Sequence, residues 1–250
     1  MWRLVLTCEH ARARVPAALR PLFPPGEALW RSHRALDFGA LQVAAGLARA
    51  FGLPLYAGQV SRLVIDLNRS VDHPQLHAAA LVQALDAATR ARLVATYYRP
   101  HRAAVAAAVA AGLAAGAPVC HLAVHSFTPV RAGQRRRADI GVLYDPGRPA
   151  ERALALALVG QLRLRLPDLA IRRNSPYRGT SDGLPTALRR TFAASTYAGI
   201  ELELNQRLLR PPGRRLPVLQ CAILEALRTV LVDCVPPPLL SGCRPTSRRG

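Results

Sequence analysis

Lysine is missing from this sequence of 250 residues, and all 34 of its basic side chains are arginines. The formal charge of +19 would by itself favour a nucleic-acid-binding protein. The arginines are scattered, however, apart from short runs such as Arg135–Arg137, and aromatic residues for base stacking make up only 5%. Heavy use of Ala, Leu, Gly and Pro indicates a biased genome composition. We therefore predict that nucleic acid is not the main partner, and keep a non-catalytic basic nucleic-acid-binding protein as an alternative.

Long uncharged apolar runs are also missing. No segment reaches the roughly 18 apolar residues that a membrane span requires, and the apolar part of the opening stretch MWRLVLTCEHARAR is too short for a signal peptide. The five cysteines, at positions 8, 120, 221, 234 and 243, form no CxxC pair and no zinc-knuckle spacing. We predict a cytoplasmic protein with reduced, mostly buried thiols and no membrane partner.

Short apolar runs alternate with longer helical patterns, which predicts an α/β fold with helices on the faces of a central, mostly parallel or mixed sheet. The predicted strands are Leu4–Thr7, Leu63–Asp66, Val119–Val124, Ile140–Tyr144, Leu169–Arg172 and Gly199–Leu204. The predicted helices are Ser32–Ala50, Thr89–Ala114, Ala150–Leu164 and Pro217–Leu231. No linker divides the chain, so we predict one domain over residues 1–235 and a disordered tail over 236–250.

Two local signals concern the ends and continuity of the predicted helices. Ser32 has the chemistry of an N-cap for the first helix, which would end at Gly52. Pro100 has no amide hydrogen and is therefore expected to kink or divide the second helix.

Polar, reactive side chains stand in or just beyond four of the apolar runs. They are Glu9 and His10; Asp66, Asn68 and Arg69; His125 and Ser126; and Glu201 and Glu203. Ligands of open α/β sheets bind beyond the carboxyl ends of the strands, so these residues could share one site. Each group also has a purely structural explanation: a hydrogen-bonded histidine, a turn with a surface salt bridge, or the wet face of an edge strand.

Together these residue types are those of metal-assisted amide hydrolysis. Two histidines and a carboxylate can hold Zn²⁺ with one position open for water, whose pKa the metal lowers. A second carboxylate can take the proton of that water and pass it to the leaving group. An arginine can bind a substrate carboxylate through two parallel hydrogen bonds.

Seven short segments occur in a familiar order along the chain. They are TCEHA, HRALDFGA, SRLVIDLNR, VHSFTP, DIGVLYD, NSPYRG and GIELELNQ. With them the chain resembles the N-formylglutamate amidohydrolases, over residues 4–210. The resemblance implies a phosphorylase/hydrolase-like α/β fold, related to that of the zinc carboxypeptidases and the aspartoacylase-type deacylases. It also implies a hydrolase of N-acyl groups on acidic amino acids, in amino-acid catabolism, with a divalent metal that is expected to be Zn²⁺.

The resemblance also implies roles for individual residues. His10 and His125 match the metal-binding histidines of the family. Arg69, together with Asn68, matches the DLNR element that binds the substrate carboxylate in related deacylases. Glu203 matches the strand carboxylate that serves as their general base.

The third metal ligand is left open. The His-x-x-Glu pattern of the carboxypeptidase-like relatives is missing, because Ala13 stands three residues after His10. Asp37, in HRALDFGA, is a better candidate than Glu9, which on a regular strand would point away from His10. Asp37 could instead orient another ligand or lie on a helix surface.

Three further features have weaker signals. Arg62 could neutralise the substrate or pair with Asp66. The NSPYRG segment predicts either a loop over the site or a plain surface turn. Ser126 is not predicted to be a nucleophile, because the G-x-S-x-G elbow is missing.

We predict a metal-dependent amidohydrolase that removes an N-formyl or other N-acyl group from a small anionic amino acid such as N-formylglutamate. Two alternatives remain open at this point. One is a hydrolase of a peptide or cell-wall amide on the same site, and the other is the nucleic-acid-binding protein named above.

Overall fold

A computed structural model of the chain describes residues 1–24, 26–30, 32–210 and 215–233. Its strands are β1 (Arg3–Cys8), β2 (Leu55–Ala57), β3 (Val119–Phe127), β4 (Val130–Arg131), β5 (Gln134–Arg135), β6 (Ile140–Leu143), β7 (Ile171–Arg173) and β8 (Tyr197–Asn205). Six of them form one sheet in the order β2-β1-β3-β8-β6-β7, and β4 and β5 form a separate hairpin.

The six-stranded sheet is mixed. Strands β2, β1, β3 and β8 run parallel to one another, whereas β6 pairs with β8 antiparallel and with β7 parallel. This confirms the predicted α/β class with a mostly parallel or mixed central sheet. Because β1, β3 and β8 are parallel neighbours, their carboxyl ends meet at one edge, where such sheets bind ligands.

Helices cover both faces of the sheet. They are α1 (Glu27–Trp30), α2 (Ala40–Phe51), α3 (Ala79–Ala84), α4 (Ala87–Leu93), α5 (Arg99–Ala114), α6 (Pro149–Arg165), α7 (Leu184–Thr191) and α8 (Leu216–Asp233). The main hydrophobic core lies between the sheet and α2, α6 and α8. A smaller core lies on the other face, where α5 and α7 pack against the sheet.

Strand β3 shows how the two faces differ. All nine of its residues are buried, and successive side chains point to opposite faces. Cys120, Leu122 and Val124 belong to the main core. His121 and His125 alternate with them and therefore lie on the opposite face, at whose carboxyl edge the polar residues of the sequence collect.

The predicted strand Leu63–Asp66 is wrong. This segment is a buried turn, in which the amide of Val64 donates to the carbonyl of Ser61 at 2.9 Å. Its apolar side chains belong to a second hydrophobic cluster away from the sheet. A short apolar run suits a buried turn as well as a strand, because both need apolar side chains and paired backbone groups.

The first predicted helix, Ser32–Ala50, begins too early. Helix α2 starts only at Ala40, and Ser32 is not its N-cap, because its hydroxyl donates to the carbonyl of Leu29 at 2.7 Å. Gly39 precedes α2 with a φ of 79°. This left-handed conformation cannot continue a helix toward the N-terminus, so the preceding segment forms turns instead.

The second predicted helix, Thr89–Ala114, keeps a helical conformation but changes its hydrogen-bond pattern just before Pro100. Helix α4 is followed by a π-helical turn at Val94–Tyr98, and α5 then begins with Pro100 in its first turn. The amide of Arg99 still donates to the carbonyl of Val94, so the helix continues through this turn. The π-helical turn is a local change of hydrogen-bond pattern just before a residue that has no amide hydrogen. At the sheet edges, β2 was not predicted, and the predicted strand Leu169–Arg172 is observed as β7, two residues later at its start.

Two of the described cysteines are buried. They are Cys8 and Cys120, whereas Cys221 is exposed. Cys234, Cys243 and the predicted tail 236–250 lie outside the described residues. None of the described helices is long and apolar enough to cross a membrane.

Replacing Gly179 by alanine is expected to destabilise the fold. A Cβ atom there would lie 2.2 Å from the backbone nitrogen of Tyr144, and such overpacking costs about 1–3 kcal/mol. Gly160, in α6, is the matched control, because a Cβ atom there meets nothing within 4 Å and alanine favours a helix over glycine by about 1 kcal/mol. Urea unfolding of both variants measures the difference, and equal free energies of unfolding would contradict the close packing at Gly179.

Candidate active site

A cavity of about 380 Å³ lies at the edge where β1, β3 and β8 end. Its walls combine histidines, carboxylates and arginines from segments that are far apart in the sequence. All the site residues predicted from the sequence line it: His10, Asp37, Arg62, Asn68, Arg69, His125 and Glu203. Tertiary structure therefore brings the predicted residues into one place.

Three of these residues form a compact buried cluster. His10 and His125 direct their Nδ1 atoms at the same carboxylate oxygen, Oδ2 of Asp37, at 3.3 and 2.9 Å. One potential ligand atom from each residue lies within 4.8 Å of the others. His10 follows β1, His125 lies near the end of β3, and Asp37 reaches them from the turn before α2, so three separate elements supply the cluster.

The far sides of both imidazoles face other carboxylates. His10 Nε2 lies 2.6 Å from Oδ1 of Asp66, and His125 Nε2 lies 3.1 Å from Oε2 of Glu9. The contact with Asp66 is a hydrogen bond that orients the ring of His10. Both oxygens of Glu9 lack a hydrogen-bond partner among the described residues, so Glu9 meets His125 by charge alone. Glu9 thus contacts His125 on the side away from the three-residue cluster.

The carboxylates also determine the proton affinity of the cluster. Burial lowers the pKa of His10, but Asp66 and Asp37 outweigh it and the pKa is raised. The pKa of His125 is likewise raised well above its ordinary value, by Asp37 and Glu9 against the effect of burial. Burial would raise the pKa of Glu9, but His101 and His125 hold it well below its usual range.

Arg62 pairs with carboxylates of the protein. Its guanidinium donates to Asp66 Oδ2 at 2.8 Å and to Asp37 Oδ1 at 3.3 Å. Of the two roles considered for Arg62 from the sequence, the pairing with Asp66 is the one observed. Its charge compensates the cluster and supports the orientation of Asp37.

The side chain of Asn68 contacts three residues that are distant from it in sequence. Its side-chain oxygen accepts a hydrogen bond from the amide of Leu184 at 2.7 Å, and its NH₂ group donates to Oε1 of Glu201 at 3.0 Å. The same NH₂ nitrogen lies 3.4 Å from Nε2 of His125. Its hydrogen bonds are thus made within the protein, where they orient Glu201.

Glu203 is buried and has an unsatisfied oxygen. It is 7% exposed, and its Oε2 atom has no hydrogen-bond partner in the described part of the chain. Its strand position is directly beside that of His125 in the pairing of β3 with β8. Burial raises the pKa of Glu203 to about 8, with His125 acting in the opposite direction. A neutral carboxyl that a nearby positive charge would ionise therefore lines the cavity.

The sequence was compared with models of known protein families. A family model, N-formylglutamate amidohydrolase, matches residues 2–210. The chain belongs to the N-formylglutamate amidohydrolase family. This confirms the resemblance drawn from the seven segments, and membership in this family supports a hydrolase acting on amide bonds.

Two solved structures are similar to this member of the N-formylglutamate amidohydrolase family. The gene product Atu2144 from Agrobacterium tumefaciens is 30% identical with a TM-score of 0.76, over 91% of each chain. An N-formylglutamate amidohydrolase from Ralstonia eutropha JMP134 is 20% identical with a TM-score of 0.68, over 92% of this chain and 94% of that one. The latter likeness is one of fold. No curated protein matches the sequence.

Two residues near the three-residue cluster of this N-formylglutamate amidohydrolase family member had no role assigned from the sequence. Asp66 orients His10, and Glu201 is held by Asn68 on the same face as Glu203. The sequence could have indicated Glu201, because it lies two residues before Glu203 and residues two apart on a strand point to the same side. No sequence signal could have paired Asp66 with His10, since 56 residues separate them.

Proposed function

We propose that this protein is a metal-dependent amidohydrolase that removes an N-formyl or other N-acyl group from a small acidic amino acid such as N-formylglutamate. The observation that carries the proposal is the cluster of His10, Asp37 and His125 in a cavity that also contains the unpaired carboxyl of Glu203. Family membership supports the amide bond as the target.

The geometry of the cluster suits a divalent cation. Two donor atoms about 2.1 Å from a tetrahedral zinc ion are roughly 3.4 Å apart. Asp37 Oδ2 lies at 3.3 and 2.9 Å from the Nδ1 atoms of His10 and His125, so one ion can contact all three after small adjustments. Imidazole nitrogen and carboxylate oxygen are ordinary zinc ligands, and we propose Zn²⁺ as the ion.

The charge around the cluster supports the same proposal. Three buried carboxylates, of Glu9, Asp37 and Asp66, contact the two histidines, and the single guanidinium of Arg62 contacts two of them. The raised pKa values of His10 and His125 favour protonated rings, which would balance the two negative charges left over by Arg62. An imidazole that binds a metal is neutral, so with the metal bound those two charges remain for the cation to balance. Buried charges are costly unless paired, and a divalent cation would neutralise them.

A divalent cation at this site would polarise the substrate carbonyl and lower the pKa of a water molecule. Glu203 then acts as the general base: it takes a proton from the water that attacks the acyl carbon and passes it to the leaving nitrogen. Its raised pKa of about 8 suits this role, because a positive charge nearby lowers the pKa of a carboxyl group into the range of proton exchange near neutrality.

Arg69 binds the carboxylate of the substrate in this proposal. Its side chain lines the cavity, and no ion pair occupies it among the described residues. Its backbone carbonyl accepts hydrogen bonds from the Tyr98 hydroxyl and the Arg102 guanidinium, both at 2.7 Å. The backbone is thereby anchored while the guanidinium stays available for two parallel hydrogen bonds to a carboxylate.

Chelation is the direct test of this function. The purified protein should release formate from N-formyl-L-glutamate, lose that activity after treatment with a chelator and dialysis, and recover it with about one equivalent of Zn²⁺. Full activity in chelated protein would contradict the metal dependence. Turnover of peptides or cell-wall amides in place of acylated amino acids would favour the alternative substrate.

Replacing Arg69 by alanine is expected to raise KM for N-formyl-L-glutamate by about 10- to 100-fold with a smaller change in kcat, since a charge-assisted hydrogen bond contributes about 1.5–3 kcal/mol. Steady-state kinetics measure the effect. Arg172→Ala, on β7 and outside the cavity, is the matched control. An unchanged KM in Arg69→Ala would remove Arg69 from this role.

Cytoplasmic location and the lack of a nucleic-acid partner stay predictions. Binding to duplex or single-stranded DNA that weakens steeply with salt would contradict the second of them.

A further inference from the structure

The arginines of the cavity differ in burial and in partners. Arg34, Arg131 and Arg178 line it but are exposed. Arg62 is half-buried, and its charge is already paired with Asp66 and Asp37. The other half-buried guanidiniums of the cavity belong to Arg69 and Arg136, and neither contacts a carboxylate in the described residues.

Arg136 is held by aromatic rings. Its guanidinium carbon lies 5.2 Å from the ring centre of Phe127 and 5.0 Å from that of Tyr177, over both rings. One N–H donates to the Tyr177 hydroxyl at 3.0 Å. A guanidinium has five N–H donors, so most of them remain for a ligand. Stacking places the group without neutralising its charge.

Hydrogen bonds to the backbone fix both segments that form this contact, the one with Arg136 and the one with Tyr177. Arg136 follows the β4–β5 hairpin, whose turn residues Ala132 and Gly133 have φ values of 48° and 75°. Its amide donates to the carbonyl of Pro129 at 2.9 Å, which closes the base of the hairpin. Asn174 braces the loop that carries Tyr177, because its side-chain oxygen accepts from two backbone amides, at 3.0 and 3.1 Å. The ring stack therefore joins two fixed segments.

The position of Phe127 along β3 sets the distance between the stacked guanidinium of Arg136 and the acyl group that reacts. Phe127 follows His125 by two residues on the same strand face, which corresponds to about 7 Å along a strand. In an extended N-formylglutamate, five bonds separate the formyl carbon from the side-chain carboxyl carbon, roughly 6 Å at ordinary bond lengths. A substrate whose acyl group reacts beside His125 can thus place its far carboxylate near the guanidinium stacked on Phe127.

We propose that Arg136 is the residue that determines specificity for an acidic side chain, by binding the substrate carboxylate farther from the scissile amide. The nearer carboxylate is left to Arg69. This inference rests on the proposed function, because it divides the two acidic groups of that substrate between two arginines. It also assigns a role to one member of the Arg135–Arg137 run.

The test compares N-formyl-L-glutamate with N-formyl-L-glutamine, which has nearly the same shape but a neutral side chain. Each is assayed with zinc-loaded wild type, Arg136→Met, Arg136→Lys and Arg137→Met. Arg137 is the control, because it is the neighbouring residue, is exposed and does not line the cavity. Wild type and Arg137→Met should share a preference for the acidic substrate.

Arg136→Met should lower kcat/KM for N-formyl-L-glutamate by about 10- to 100-fold and change that for N-formyl-L-glutamine by less than about threefold. Arg136→Lys should restore part of the preference, because it keeps the charge but loses the planar fork. The activity that Arg136→Met retains on the neutral substrate reports that it is folded.

Several outcomes would overturn the inference. Equal losses on both substrates would indicate a merely structural role for Arg136, and an unchanged preference would indicate no role in specificity. A wild type that turns over both substrates without preference would also contradict it. Turnover of neither substrate by zinc-loaded wild type would overturn the proposed function, and the inference with it.

Discussion

Replacing His125 by alanine is expected to abolish metal binding and to lower kcat/KM for N-formyl-L-glutamate by at least about 10³-fold, since metal polarisation contributes several kcal/mol in the transition state. His125 supplies one donor of the three-residue cluster, and its far nitrogen lies 3.1 Å from Oε2 of Glu9. Elemental analysis of purified wild type and variant, together with the deformylation assay, measures both effects.

His121→Ala is the matched control for this prediction. His121 is also a buried histidine of β3 and lies on the same strand face, but it is hydrogen-bonded to Thr7 and Tyr197, at 2.9 Å each. It does not line the cavity. Its variant should lose stability and keep its metal. If His125→Ala retained one equivalent of metal, or if both variants lost it alike, His125 would not be a specific ligand.

Replacing Glu203 by glutamine is expected to lower kcat by about 10²- to 10⁴-fold, the usual contribution of a general base, with little change in KM or metal content. Glutamine keeps the size of the side chain but cannot accept the proton. The structure motivates the choice, because Glu203 is buried in the cavity wall with one oxygen unsatisfied in the described part of the chain.

Glu201→Gln is the comparison that assigns the proton transfer to one carboxylate. Glu201 is two residues away on the same strand face and also lines the cavity, but Asn68 donates to it at 3.0 Å. We expect a smaller loss of kcat in this variant. A larger loss in Glu201→Gln than in Glu203→Gln would exchange the roles of the two glutamates.

Periodicity in the sequence was sufficient for most of the fold. The segments around β1, β3, β6 and β8 are apolar runs of strand length. The alternation of such runs with the four predicted helices is typical of a largely parallel sheet. It was not sufficient at Leu63–Asp66, where the run is a turn, or at residues 32–39, where Gly39 prevents the helix from starting early. Local composition does not report which partner an apolar segment packs against.

For the site, too, the sequence predicted which residues take part and the structure supplied their arrangement. Position at strand ends predicted His10, Asn68, Arg69, His125 and Glu203 as one group, and the family resemblance added Asp37. The structure brings all six to one cavity. The third member of the cluster was left between Asp37 and Glu9. Only the folded chain shows that Asp37 faces both Nδ1 atoms while Glu9 lies behind His125.

The sequence by itself determined the α/β class, the family and the chemical inventory, because strand periodicity and short motifs are local properties. Only the tertiary structure decided which side chains each of these residues contacts. Arg62 is compensated by carboxylates and Arg136 is stacked on two rings beside the cavity, although both are arginines in a chain full of them. The difference arises because side-chain partners are set by packing between segments distant in sequence, such as Arg136 and Tyr177, 41 residues apart.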